Sequence, residues 1–187
     1  MLSEADRTFL LAAARNSLTQ AVLRRPIRPT KPPSALFDEP RGAFVTLHHA
    51  GELRGCIGYA DPVRPLLTTV EEAARMAGTE DSRFAPVGAS ELSQIEIEIS
   101  VLSLPEVFHA PEEIEIGTHG VLLEIRHRRG LLLPQVALEY GWDQTMLLDH
   151  TAKKAGLPRR AWQEPGATLY RFTAEIFHES SPGTQSR

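Results

Sequence analysis

The chain contains a single cysteine, Cys56, inside the run Leu53-Arg54-Gly55-Cys56-Ile57-Gly58, with an arginine two residues before it and a glycine on each side of the Cys-Ile pair. A thiol reacts through its thiolate, and a neighbouring cation together with N–H groups left open by a glycine turn favours that form. The same residue types also suit a tight strand end, where glycines admit close backbone approach and a small apolar cysteine fills the core. On a regular strand Arg54 and Cys56 share one face, which would set a fixed positive charge beside the thiol. Cys56 and Arg54 are therefore the candidate catalytic pair, and Leu53, Gly55, Ile57 and Gly58 the candidate binding residues around them. A nucleophile also needs a base. His48 is the nearest histidine on the strand that should pair with this one, but it is expected opposite Glu52 or Leu53, several residues from Cys56. His119 or His150 could approach only through the fold.

The other constellations point less clearly to chemistry. His48 and His49 are adjacent, so on a strand they face opposite ways and do not jointly bind one metal. The remaining histidines form no H-x-x-x-H or H-E-x-x-H pattern, and no metal or other cofactor is expected. His150 and Lys154, one helical turn apart, suit a helix C-terminal half better than a catalytic pair. Glu96 and Glu98 project from one strand face about 7 Å apart, a spacing two working carboxylates could use, though with Ser100 continuing the row a solvated sheet face is favoured. Gly55-Cys56-Ile57-Gly58 has the bare G-x-x-G spacing of a KH loop, but its expected neighbours are strands and its middle lacks a cation. No phosphate-binding glycine motif is present.

Composition bounds the answer further. The 187 residues, 42% hydrophobic and 24% charged, are those of an ordinary globular chain able to bury a core. The net charge of −4 supplies no field for nucleic acid. Only the turn Arg126, His127, Arg128 and Arg129 offers a local basic patch. One cysteine excludes an intramolecular disulfide and fits a reducing compartment. The acidic N-terminus is unlike a signal peptide, and no apolar run spans a bilayer, so a cytoplasmic protein without membrane attachment is expected.

The elements that must position these residues can be read in order. Ser3 is the expected N-cap of a helix with Leu10, Leu11, Ala14, Leu18, Ala21 and Val22 on one face, ending before Pro26. A proline-rich wrapping segment over 26–40 follows, pinned by Ile27, Leu36 and Phe37. A hairpin is predicted from Ala43–His48 and Glu52–Tyr59, turning at 49–51. A helix capped by Asp61 and closed by Gly78 comes next, with Leu66, Leu67, Val70, Ala73, Ala74 and Ala77 buried. Asp81–Pro86 reads as a loop, and Ser90 as the cap of a single turn at Glu91-Leu92. Ile95–Leu102 alternates strictly and is the clearest strand. Strands at Gly120–Arg126 and Gly130–Leu133 should pair across His127-Arg128-Arg129. Short and longer helices should then occupy 135–140 and 143–155, and one strand 169–177 with Tyr170, Phe172, Ala174 and Ile176 on a face. Residues 179–187 read as a flexible tail. Hairpins with helices between them, without βαβ alternation, give an α+β fold with a mainly antiparallel sheet flanked by helices.

Taken together the motifs resemble one family. Leu53-Arg54-Gly55-Cys56-Ile57-Gly58 is similar to the LRGCIG signature of the AMMECR domain family, called system protein A in AmmeMemoRadiSam gene neighbourhoods. Asp81 with Arg83-Phe84, Glu96 to Leu102, Gly130 to Ala137, and Gly141-Trp142 also fall where the family carries similar motifs, so the resemblance covers nearly the whole chain. Ser82 stands where the family usually has proline, which should loosen that loop, and Thr79 where it has an aromatic residue. The resemblance implies an α+β domain over 1–178 with a larger and a smaller lobe, and the hexapeptide in or near a cleft that Arg83, Gln135 and Glu139 would also line. It associates the protein with Memo-type and radical SAM partners in a modification pathway. Two functional readings follow from it. In one, a Cys56-centred site binds or handles a small-molecule or peptide ligand. In the other, a non-catalytic adaptor uses the hexapeptide structurally.

Overall fold

A computed structural model describes residues 1–26 and 30–179. Among these residues the fold is α+β, with two four-stranded antiparallel sheets and four α-helices. The described residues divide into two compact units, one of those up to 101 together with those from 175 onward, the other of residues 102–174.

In the first unit the sheet order is β2-β1-β3-β8, from β1 (Ala43–His49), β2 (Glu52–Tyr59), β3 (Ile95–Leu102) and β8 (Ala174–His178). The β1–β2 turn is two residues, Ala50 and Gly51, both at positive φ (51° and 82°). Such turns match the twist of a hairpin, and glycine takes the second position without strain. Alternation decides the faces. Val45, Leu47, Ile97 and Ile99 are fully buried and form one core with α1 (Glu4–Val22) and α2 (Leu66–Thr79).

Helix α1 begins at Ser3, whose hydroxyl accepts from the Asp6 N–H while the Asp6 carboxylate accepts from the Ser3 N–H. This reciprocal cap satisfies two otherwise orphaned donors. Ser3→Ala should lower stability by about 1 kcal/mol in urea denaturation. Within α1 the buried positions are Leu10, Ala13, Ala14, Ser17, Leu18 and Gln20, so Leu11 falls at the edge of the stripe rather than in it.

Helix α2 corrects the sequence reading at both ends. It starts at Leu66, not at Pro62, because Pro65 excludes helical geometry at the residue before it. Gly78 lies inside the helix rather than closing it. A Cβ there would come within 2.2 Å of Leu18 Cδ1, so this glycine lets α1 and α2 approach. Ahead of α2, Phe37 is fully buried within a short turn, Ala35–Asp38, and Pro40 bridges to Pro65. The expected pin at Ile27 lies outside the described residues. Ser90 caps nothing: the single turn is Leu92–Gln94, preceded by Glu91 without a side-chain cap.

The second unit holds β4 (Glu106–Phe108), β5 (Gly120–Ile125), β6 (Arg128–Leu132) and β7 (Ala167–Phe172) in the order β4-β7-β5-β6. Helices α3 (Pro134–Tyr140) and α4 (Gln144–Lys154) pack with it around Val121, Leu123, Leu147, Leu148 and Ala152. Strand β4 occupies a stretch that reads in sequence as a proline-marked loop. The β5–β6 turn is Arg126-His127, with Arg126 at φ 55°, so Arg128 and Arg129 belong to the strand and not to the turn. Gly141 ends α3 in the left-handed region at φ 63°, and the Asp143 carboxylate accepts from Met146 N–H to start α4.

The single strand expected over 169–177 is two strands. β7 pairs with β4 and β5, the chain leaves the ladder at Thr173, and β8 joins the other sheet. Its alternation breaks accordingly, since Leu169, Phe172 and Phe177 are the buried residues. Glu179, expected to begin a tail, is tied down. Its carboxylate pairs with Arg15 and accepts from Ile97 N–H. The rest of that expected tail, 180–187, lies outside the described residues.

Candidate functional site

Strand β2 is an edge strand, and the hexapeptide runs along it. The ladder is regular from Tyr59 to Gly55, where Gly55 faces Leu47, and then skips a residue, since His48 faces Leu53. Arg54 is the extra residue of a β-bulge, a device that re-aims a side chain. The expectation that Arg54 shares a regular face with Cys56 therefore fails. Its guanidinium turns to Glu91 (Nε to Oε2 2.9 Å) and donates to the Ala85 carbonyl at 2.9 Å. This pairing, with the Gly88 N–H, holds the Glu91 carboxyl below its ordinary value. The Arg54 charge is spent on fastening the 85–91 loop.

The two glycines answer to packing. A Cβ on Gly55 would lie 2.2 Å from the Ala77 carbonyl of α2, and one on Gly58 would lie 2.3 Å from the Phe44 ring. Gly55 thus seats the edge strand on the helix, and Gly58 lets Phe44 lie across it. Ile57 packs against the first unit's core, whereas Leu53 is 42% exposed.

Cys56 is half-buried, on the sheet face opposite the helices. Its Sγ accepts from the Thr46 hydroxyl at 3.3 Å. The register sets Cys56, Thr46 and Glu98 in one row across three strands, and Leu53, His48 and Glu96 in the next. His48 is thus a diagonal neighbour of the thiol, one row away. The row Glu96, Glu98, Ser100 is not uniformly wet. Glu96 is exposed and Glu98 half-buried, but Ser100, paired with Phe44, is buried.

The free edge at Cys56 is closed by side chains. Asp81 Oδ2 accepts from Cys56 N–H at 2.9 Å, and Arg83 Nη2 donates to the Cys56 carbonyl at 3.2 Å. The Asp81–Arg83 pair thereby takes the place of a neighbouring strand, supplying one acceptor and one donor to an otherwise unpaired edge. The pair is internally knit as well. The Asp81 carboxylate accepts from Arg83 N, Nε and Nη2 at 3.1, 3.0 and 2.7 Å. These bonds, led by the Arg83 side chain and opposed by burial, hold the Asp81 carboxyl far below the usual range. Arg83 in turn is raised above its ordinary value, first by the Asp81 hydrogen bond and further by the Asp81 charge, with burial opposing. The positive charge beside Cys56 comes from Arg83, which is 55% exposed, and not from Arg54. The loop that Ser82 should loosen is fastened by Asp81.

Gln135 and Glu139 belong to the second unit, on α3. Gln135 Oε1 is buried without a hydrogen-bond partner, and Glu139 is exposed. Among the described residues no group of three His, Cys, Asp or Glu is placed to hold a metal ion, and no helix is long and apolar enough to cross a membrane. Thr46 carries no motif in sequence, and Asp81 stands out there only as part of the family pattern. An acidic residue two places before an arginine, just past a helix end, was the available signal.

The molecule is thus a two-sheet α+β protein whose one thiol sits on a sheet edge closed by an Asp-x-Arg pair. The AMMECR1 family model matches residues 11–177, and the chain belongs to that family. A Methanothermobacter thermautotrophicus protein is 48% identical over 77% of this chain and 78% of its own. A Methanopyrus kandleri protein is 42% identical over 93% and 88%. The crystal structure of an uncharacterized Pyrococcus horikoshii protein superposes with a TM-score of 0.84 at 37% identity, covering 93% of this chain and 91% of that one.

Proposed function

We propose that Cys56 is the centre of a site that binds or covalently handles a small substrate, within a modification pathway shared with Memo-type and radical SAM partners. One observation carries this reading. Every other polar or glycine position of the hexapeptide has a packing or tethering task, whereas the Cys56 thiol has none beyond one hydrogen bond, from Thr46. It stands half-exposed beside an Arg83 guanidinium and in row with Glu98. Once its proton has passed to solvent water, a thiol so placed can add to a carbonyl-type carbon, the sulfur–carbon bond forming as the C=O π pair moves onto oxygen, with Arg83 facing that negative charge and Thr46 donating to the sulfur. The shared pathway is what the resemblance of the hexapeptide to the LRGCIG signature implies.

Native protein treated with iodoacetamide should be carboxamidomethylated at Cys56, several-fold more slowly in Arg83→Gln when both are folded. A Cys56 that stays unmodified until denaturant is added would end the nucleophile reading. The second reading, an adaptor with a structural hexapeptide, is favoured by the Asp81–Arg83 edge closure and the two tightly seated glycines. It expects Cys56→Ala to melt lower and the native thiol to stay inert.

A further inference from the structure

Residues 102–174 carry eight arginines and lysines, and seven fall in two short segments, 126–129 and 153–160. The fold joins these segments into one end of the second unit. Gly130 lies against α4 so closely that a Cβ would come within 2.3 Å of the Thr151 carbonyl. Arg128 donates to the Gly156 carbonyl just past the helix. The segment after α4 folds back, with Arg160 N–H and Trp162 Nε1 both donating to Asp149, at 3.1 and 2.9 Å. All seven cations are exposed.

The carboxylates at this end are few, and two of the three are occupied. Glu124 pairs with Arg129, Asp149 holds the folded-back segment, and Glu164 is exposed. Among the described residues Arg126, Lys153, Lys154 and Arg159 make no ion pair. Cations in the last turn of α4 complement its dipole, which accounts for Lys153 and Lys154 but not for the arginines gathered around them.

We infer that this end of the second unit is a docking surface for an acidic segment of a partner protein. Guanidinium forks match carboxylates in pairs, and five of the seven cations are arginine. The chain as a whole is negative, so attraction acts at contact and not at long range, which suits a flexible acidic segment better than a nucleic-acid rod. The tryptophan at this end, Trp162, is half-buried in the core and tied to Asp149, so it is not a platform for base stacking. The inference is independent of Cys56.

The test is fluorescence anisotropy of a labelled oligoglutamate titrated with the whole protein at low salt. Saturable binding that weakens with added salt is expected. The triple variant Arg126→Glu, Lys153→Glu, Arg159→Glu should bind at least about ten-fold more weakly. Arg24→Glu, Arg25→Glu, Lys31→Glu changes the net charge equally on the first unit and should bind as wild type does. Three results would overturn the inference: no binding, equal weakening by both variants, or tighter binding of a charge-matched single-stranded oligonucleotide.

Discussion

Gly55→Ala is expected to destabilise the protein by about 3 kcal/mol, near the top of the range for overpacking. The added methyl would sit 2.2 Å from the Ala77 carbonyl. That oxygen belongs to helix backbone and cannot rotate aside as a side-chain tip does. Either β2 lifts from α2 or the last turn of α2 shifts, and both movements disturb the Asp81 loop that follows. Thermal or urea denaturation monitored by circular dichroism would read the loss. A Gly55→Ala protein as stable as wild type would mean that the strand is not seated on the helix as described. Gly78→Ala meets only the end of a leucine side chain and should cost less.

Asp81→Ala should cost about 3 kcal/mol at neutral pH, because it leaves the Cys56 N–H without its acceptor and removes a buried partner of Arg83. The loss should depend on pH in a defined direction. The Asp81 carboxyl is held well below its ordinary value of 3.8, chiefly by Arg83. A group depressed in the folded state contributes stability that is complete above its unfolded pKa and is lost as pH falls toward the folded one. Wild type should therefore lose this contribution below about pH 4, and the gap between wild type and Asp81→Ala should narrow as acid is added. Parallel stability curves from pH 7 to pH 3 would show that the carboxylate is not the stabilising species. Asp81→Asn keeps one acceptor and should recover part of the loss.

What sequence could and could not show follows from the range of the interactions concerned. Strict alternation at Ile95–Leu102, a serine three residues before an aspartate, and a glycine just past Tyr140 are local signals, and each produced the element it suggested. The bulge at Arg54 is not local. Whether a strand skips a residue depends on the register of its partner, and nothing in Leu53-Arg54-Gly55 reveals that Leu47 and His48 will face Gly55 and Leu53. A regular strand therefore sets Arg54 beside Cys56, whereas the bulge turns it away. Arg83 comes near the thiol only because α2 carries the chain back to the edge of β2. The family resemblance placed Asp81 and Arg83 among the motif residues, but not what they do: an aspartate closing a strand edge looks in sequence like any loop aspartate. Gly78 misled for the opposite reason. A glycine near a helix end ordinarily marks a stop, but Leu18, sixty residues away in sequence, needed the space.

The return of the chain at Thr173 bears on how the protein is made. The sheet that carries Cys56 is finished by β8, which is synthesised only after the whole second unit. Until then the outer side of β3 has no partner, and Arg7 and Arg15 of the first helix lack Glu175 and Glu179. The second unit, lying wholly between β3 and β8 in sequence, is complete earlier. A nascent chain stalled before residue 174 would thus hold a complete second unit while the first unit's sheet still lacked β8, and that sheet would close only once β8 had emerged.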